Sequence, residues 1–433
     1  MTRSLFRNSN LRCFSKAWTI FFLVLSGGVV CAEQNPPAAV SKVLGEFTRR
    51  ASCSRKQLPH IIDAASAAAK RSLANPDALI TATYAKQASF AEEMMNRSGG
   101  LANCLDEWAR QKQATPNDIF LFSVRAWETD GKKNISEIEN AKKRGWLVVL
   151  FASEAGMLQE AEKLNIDYLI DNGARTGNEA EGAMNSIANS LNAWLWVSEY
   201  TAAMTRGGKH PGILKSILED GHKEHNAQIQ GMKLRHRQFD CKKPIATGSL
   251  ASVYLKRVDK LIADLRSEKT QQQLDQSAGL IAAQLKSGGR VCATHATHLL
   301  TQEMGRNTPF PVHEFNVIWR AKTAFPKNVK KDDIVLYFSF YGMNTPYEDY
   351  ATPLRQTGAK FITCHLKDKN KSNNAPDATA HIDASWSLPD SEVPVPFAPG
   401  QMAPVSGLNQ GLVYRLLLEK AAAQLNSLQK RPQ

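Results

Sequence analysis

No interior stretch of the sequence reaches the ~18 to 20 uninterrupted apolar residues that a membrane-crossing helix needs. No C-x-x-C pair occurs, which excludes a zinc ribbon and a thioredoxin-type redox motif. Seven cysteines in 433 residues are too sparse to staple a disulfide miniprotein. The Lys and Arg residues are not interleaved with an aromatic stripe, so a nucleic-acid-binding surface is not expected. Disorder is disfavoured as well, because 43% hydrophobic against 22% charged residues is enough to bury the cores of two domains.

The one long apolar segment lies at the start of the chain. Arg3, Arg7, Arg12 and Lys16, with no acid among them, precede the run from Ala17 to Val30. Val30-Cys31-Ala32 then offers small residues at a cleavage site after Ala32. Residues 1–32 are therefore expected to be a signal peptide, and the protein to be exported, periplasmic or secreted. Cys31 raises the question of a lipoprotein box, but Val30 stands where Gly, Ala or Ser is wanted. Retention of the segment as an uncleaved anchor stays open. Without it, 50 Lys and Arg face 41 Asp and Glu, a net +9, which describes a solvated basic surface with some attraction for anionic ligands. Five cysteines remain. Cys53 with Cys104 is the least implausible disulfide, whereas Cys292 and Cys364 lie in apolar runs and are expected to be buried thiols.

Short β-branched runs alternate with helical patterns, the signature of parallel strands joined by crossover helices. The fold class is α/β. Strands are expected at 78–84, 118–123, 146–152 and 167–170, and again at 290–294, 333–339, 359–364 and 381–383. Identities recur in order: Ala82-Thr83 with Ala293-Thr294, Asp118-Ile119 with Asp333-Ile334, Gly145 with Gly358, and Ile170-Asp171 with Ile382-Asp383, at offsets of 211 to 215. Ser186-x-x-Asn189 recurs as Ser406-x-x-Asn409 at 220, the extra length falling in the Pro-rich stretch Leu388 to Pro404. One unit read twice accounts for this. The expected organisation is a signal peptide 1–32, a first domain 33–230 with an N-terminal helical arm, a linker 231–248, and a second domain 249–433, with Asp118–Ser123 and Asp333–Ser339 as central strands.

A strand that ends in a polar turn before a helix presents free N–H groups and a positive dipole end, which suits phosphate. The second half has two such turns: one at Thr294, His295, Thr297 and His298 ahead of Glu303, the other at Ser339, Gly342, Asn344 and Thr345. Ordinary helix capping would use the same residues. His295, His298 and His313 with Glu303 match no standard metal spacing, so neither a metal nor a cofactor is expected.

These residues resemble the SIS (sugar isomerase) phosphosugar-binding domains, nearest to a branch carrying a single such domain. Ala91-Glu92-Glu93 with Arg97-Ser98-Gly99-Gly100-Leu101 is similar to the helix and following segment of that branch. Leu169-Ile170-Asp171-Asn172-Gly173 and the run from Ser216 to Asn226 resemble its closing strand and segment. The resemblance implies two flavodoxin-like three-layer units, each a five-stranded parallel sheet flanked by helices. It implies a ligand-binding set of Thr294, Thr297, His298, Ser339, Gly342, Asn344, Thr345 and Ser406, with Glu303 as a helix base and His225 as a second catalytic residue. The first half departs from the pattern: Thr83-Tyr84-Ala85-Lys86-Gln87 and Ser123-Val124-Arg125-Ala126 lack the glycines that let a phosphate approach. Ser339, Gly342 and Asn344 keep more of it, so the second half is the expected site.

The expected function is binding of a phosphorylated or amino sugar by an exported SIS-type protein, non-catalytic or weakly catalytic. An aldose–ketose isomerase using Glu303 is one alternative. A lyase or etherase acting on a cell-wall amino sugar is another. A homodimer is a possible assembly; nucleic acid is not an expected partner, nor is a membrane once the signal is removed.

Overall fold

The structure is a computed structural model that describes residues 38–82, 88–95, 97–105, 115–126, 135–176, 182–216, 219–295, 308–316, 329–341, 356–366, 378–386, 390–397 and 399–430. The expected signal peptide lies outside them.

The first half runs α1 (Ala38–Lys56), α2 (Leu58–Ala74), β1 (Ile80–Ala82), α3 (Ala88–Met94), β2 (Cys104–Leu105), β3 (Ile119–Ser123), α4 (Ile135–Lys143), β4 (Leu147–Ala152), α5 (Glu154–Lys163), β5 (Tyr168–Asp171) and α6 (Gly182–Arg206). Then come β6 (Lys209–Pro211), α7 (His222–Gly231) and β7 (Gln238–Asp240). The second half runs α8 (Ser249–Arg266), α9 (Glu268–Lys286), β8 (Val291–His295), β9 (Val312–Asn316), β10 (Ile334–Tyr341), β11 (Lys360–Leu366), β12 (Ala380–Asp383), β13 (Ser391–Pro394), β14 (Gln401–Pro404) and α10 (Ser406–Lys430). Among the described residues no helix is long and apolar enough to cross a membrane.

One sheet has the order β2-β1-β3-β4-β5 and the other β9-β8-β10-β11-β12, every pair parallel. The two orders are the same. Both are flavodoxin-like, so the sequence repeat is a repeat of one doubly wound α/β unit. The central strands are β3 and β10, as the repeat predicts. Strands covered on both sides read as unbroken apolar runs, and the six residues of β4 are all buried.

The repeated residues have local reasons. Asp118 accepts hydrogen bonds from Leu79 N, Thr115 N and Thr115 Oγ1, tying the turn ahead of β3. Asp333 does the same ahead of β10, accepting from Lys330 N and from both Arg290 Nε and Nη2. Gly145 and Gly358, each just before β4 or β11, have φ of +77° and +73°, a conformation in which a side chain is strained.

In the first sheet, Ile119, Leu121, Val149 and Phe151 face the large core with α1, α2 and α6, while Phe120, Phe122, Val148 and Leu150 pack on α4 and α5. The large core continues without a break into the second half, through Tyr254 and Val258 of α8, Ile281 of α9, Leu336 of β10 and Leu412 of α10. Residues 37–433 form one compact unit. The stretch 231–248 is tied down along its length: β7 pairs antiparallel with β6, and Arg237 Nη1 donates to Ala102 O at 2.6 Å.

All five described cysteines are free, which corrects the suggested Cys53–Cys104 disulfide. Cys53 Sγ donates to Asp171 Oδ2 at the end of β5, whereas Cys104 lies in β2, the opposite edge of the same sheet. Burial pushes the two thiols up to about 11 and about 12. Cys292 and Cys364 are buried thiols, as expected.

Candidate functional site

In a doubly wound sheet, ligands bind outside the carboxyl ends of the strands, where the strand order reverses. That point lies between β1 and β3 in the first unit and between β8 and β10 in the second. Thr294 is in β8 and Ser339 in β10, neighbouring strands registered with Thr294 opposite Tyr337, so both hydroxyls stand toward the carboxyl edge at the reversal. They are 4% and 1% exposed, and neither Oγ has a hydrogen-bond partner among the described residues. Gln410 of α10 donates from Nε2 to Ser339 O at 3.0 Å. Among the described residues its Oε1 has no partner, nor does either polar atom of the Asn409 side chain. A buried polar group left unbonded costs ~1–3 kcal/mol.

In the first unit the strand-end hydroxyl is that of Ser123, which the 215-residue offset of the central strands matches to Phe338 and not to Ser339. Asn189, the counterpart of Asn409, donates to Ser123 Oγ at 2.9 Å and to Val124 O at 3.1 Å. Thr81 Oγ1 and Asn189 Oδ1 have no partner among the described residues. Arg125, the cation that could have offered the first unit an anion site, is 2% exposed and lies under α6, where a Cβ on Gly182 would meet its Cδ at 3.1 Å.

Thr294 and Ser339 are thus brought together. Ser406 opens α10 one turn ahead of Gln410 and is fully buried. Its Oγ is already committed, donating to Asp390 Oδ2 at 2.6 Å and accepting from Arg97 Nη2 at 2.9 Å. His225, in α7, places Nε2 3.1 Å from Ile213 O, and its neighbour Asn226 bonds both the N–H and the carbonyl of Lys215. These bonds fasten α7 to the segment after β6. Thr297, His298, Glu303, Gly342, Asn344 and Thr345 lie outside the described residues.

A second polar cluster was not expected as a unit. Arg97 pairs with Glu93 and Asp390, each at 3.3 Å, and Ser406 N donates to Asp390 Oδ1. All four residues are buried. Burial raises Asp390 to about 7 despite the opposing charge of Arg97, and burial together with the Glu93 charge raises Glu92 to about 7. A carboxyl that titrates near neutrality is what general acid–base chemistry uses, but Glu93, Arg97, Asp390 and Ser406 are closed off from solvent. Their visible work is to join the first half to the second. The Glu-Glu pair with Arg four residues on was the sequence signal; its partner Asp390 lies 293 residues away from Arg97.

The fold and the reversal point define a protein of two doubly wound α/β units with a polar strand edge in the second. No protein-family model and no curated protein matches the sequence. Among solved structures, the chain is similar to the C-terminal domain of glucosamine-fructose-6-phosphate aminotransferase from Francisella tularensis, with 9% identity, 92% of this chain and 98% of that one covered, and a TM-score of 0.48. It is similar to tagatose-6-phosphate ketose/aldose isomerase from Escherichia coli, with 12% identity, 92% and 97% coverage, and a TM-score of 0.48. Glucosamine-6-phosphate deaminase from Thermotoga maritima is similar at 11% identity, 87% and 95% coverage, and a TM-score of 0.40. The assignment of fold rests on the strand order, not on these likenesses.

Proposed function

We propose that the chain is an exported SIS-type protein that binds a phosphorylated or amino sugar at the carboxyl edge of the second sheet, between β8 and β10, as a binding protein with little or no turnover. One observation carries the reading: Thr294 Oγ1 and Ser339 Oγ are buried at the strand reversal with no partner among the described residues. Sugar hydroxyls and phosphate oxygens both accept hydrogen bonds from such hydroxyls, and bonds to a charged acceptor are the stronger kind.

The test is calorimetry and thermal unfolding of residues 33–433 with fructose 6-phosphate and glucosamine 6-phosphate. A ligand present at 100 times its Kd stabilises the native state by ~2.7 kcal/mol, which a melting curve resolves. Thr294→Val with Ser339→Ala should weaken binding by ~1.5–3 kcal/mol per lost charge-assisted bond. Full affinity in the double variant, or no binding by the wild type, removes the proposal. Glu303→Gln separates the isomerase alternative, since loss of turnover with retained affinity would make Glu303 a base.

A further inference from the structure

A second groove, of about 410 Å³, lies at the other end of the same sheet, beyond the edge strand β12. One wall is the outer face of α8, another the start of α9, and the floor the turn from Asp383 to Trp386. Its volume falls in the range of small-molecule sites, roughly 300–1,000 Å³.

We infer that this groove binds a neutral carbohydrate. Three cations and three carboxylates line it, and they are already matched: Lys260 with Asp264 at 2.6 Å, Lys269 with Asp383 at 2.5 Å, and Arg257 with Glu392 at 3.6 Å. With no net charge among the described lining residues, the groove has no long-range preference for an anion or a cation. It offers donors and acceptors side by side. A sugar hydroxyl both donates and accepts, so vicinal hydroxyls can span such a cation–carboxylate pair, which a group that only accepts cannot do.

Trp386 supplies the independent observation. It lines the groove, is 6% exposed, and its indole Nε1 has no hydrogen-bond partner among the described residues. A buried donor without an acceptor is costly, and a ligand oxygen would relieve it. The ring, with Leu261 and Val405, adds apolar surface for the C–H face of a pyranose.

The charge balance is not shared by every groove of the molecule. Another, of about 480 Å³, lies against α1 and α10, and its described lining holds Lys42, Arg49, Arg50, Arg175 and Arg415 against Glu46 and Glu419.

The experiment is calorimetry on residues 33–433 at fixed ionic strength with N-acetylglucosamine and glucose, and with sodium phosphate for comparison. Trp386→Phe keeps the ring and removes the N–H; Ser385→Phe, at a partly exposed lining position, fills the groove. The expected result is binding of a neutral sugar that falls about tenfold in the first variant, is lost in the second, and persists in Ser339→Ala. Failure of both neutral sugars to bind overturns the inference, as does unchanged affinity in the two groove variants. So does tighter binding of phosphate that the same variants abolish. Loss of neutral-sugar binding in Ser339→Ala would place that ligand at the strand reversal and equally overturn it. Sugar-phosphate binding at β8 and β10 stands or falls separately, because neither groove variant touches it.

Discussion

Asn189 Nδ2 donates to Ser123 Oγ at 2.9 Å, whereas Asn409, its counterpart 220 residues on, bonds none of the described residues through its side chain. Ser123 and Ser339 are one register position apart in the repeat, so the two asparagines meet different strand-end residues. Removing the two serines should have different consequences. Ser123→Ala takes away a satisfied bond and should cost ~1 kcal/mol in chemical denaturation, moderated because Asn189 keeps its bond to Val124 O. Ser339→Ala removes an unbonded buried hydroxyl and should leave the ligand-free protein as stable or more so. A larger loss at Ser339 than at Ser123 would mean that the second strand end is filled from within the chain.

Arg97 faces two carboxylates, Glu93 and Asp390, in a pocket without solvent, and Asp390 is raised to about 7 by burial. Between its ordinary value near 4 and about 7, the native state holds a proton that the unfolded state has lost. Stability should therefore fall as pH rises through that window, by at most ~4 kcal/mol at ~1.36 kcal/mol per unit. Glu92, also raised to about 7, acts in the same direction, though it is less buried. Glu46, lowered to about 2 chiefly by the Arg49 hydrogen bond despite partial burial, acts in the opposite direction, but only below about pH 4.5. Asp390→Asn leaves Arg97 paired one-to-one with Glu93 and should flatten the profile. Urea midpoints at pH 5, 6, 7 and 8 decide it: an undiminished slope in the variant would assign the proton elsewhere.

Gly99 has φ +73°, and a Cβ there would lie 2.5 Å from Ser391 Oγ and 3.1 Å from Ala403 N. Its own carbonyl accepts from Ala403 N at 3.0 Å, so the first half's backbone is seated on the β13–β14 hairpin of the second. Gly99→Ala should destabilise by ~1–3 kcal/mol from backbone strain, with the contact penalty added. Adding Ser391→Gly should recover only the contact part, because the strain remains. Full recovery in the double variant would show that the conformation at residue 99 carries no cost.

How much of this was legible follows from sequence distance and element length. The eight strands read from apolar runs are all present, shifted by up to two residues at their ends. The repeat was legible because its anchors are local: Asp118 and Asp333 tie turns, and Gly145 and Gly358 take left-handed conformations. The edge strands β2 and β9 were missed. Cys104–Leu105 is two residues long, and Val312-His313-Glu314-Phe315-Asn316 carries more polar than apolar side chains. Of the expected site, Thr294 and Ser339 were legible from strand ends. The Arg97–Asp390 bridge and the Trp386 groove were not, because each joins segments far apart in the chain and neither has a local pattern.

The last prediction concerns the expected boundary at 231–248. Glu199 of α6 is fully buried and accepts from Gly248 N at 2.8 Å and Ala251 N at 3.1 Å, so the first half supplies the cap of the second half's first helix. Tyr254 of that helix donates to Pro404 O, α1 packs against α10, and α6 packs against α8. One apolar core runs through all of these helices. Cutting the chain between Lys242 and Lys243, both exposed, should therefore give fragments that expose apolar helix faces and do not unfold cooperatively alone, yet combine one-to-one when mixed. Glu199→Gln in the intact chain should cost ~1.5–3 kcal/mol, because it weakens two charge-assisted bonds at a buried helix start. If residues 249–433 alone melted in one sharp transition at the temperature of the whole chain, the second half would be an independent domain and the shared core would contribute little to its stability.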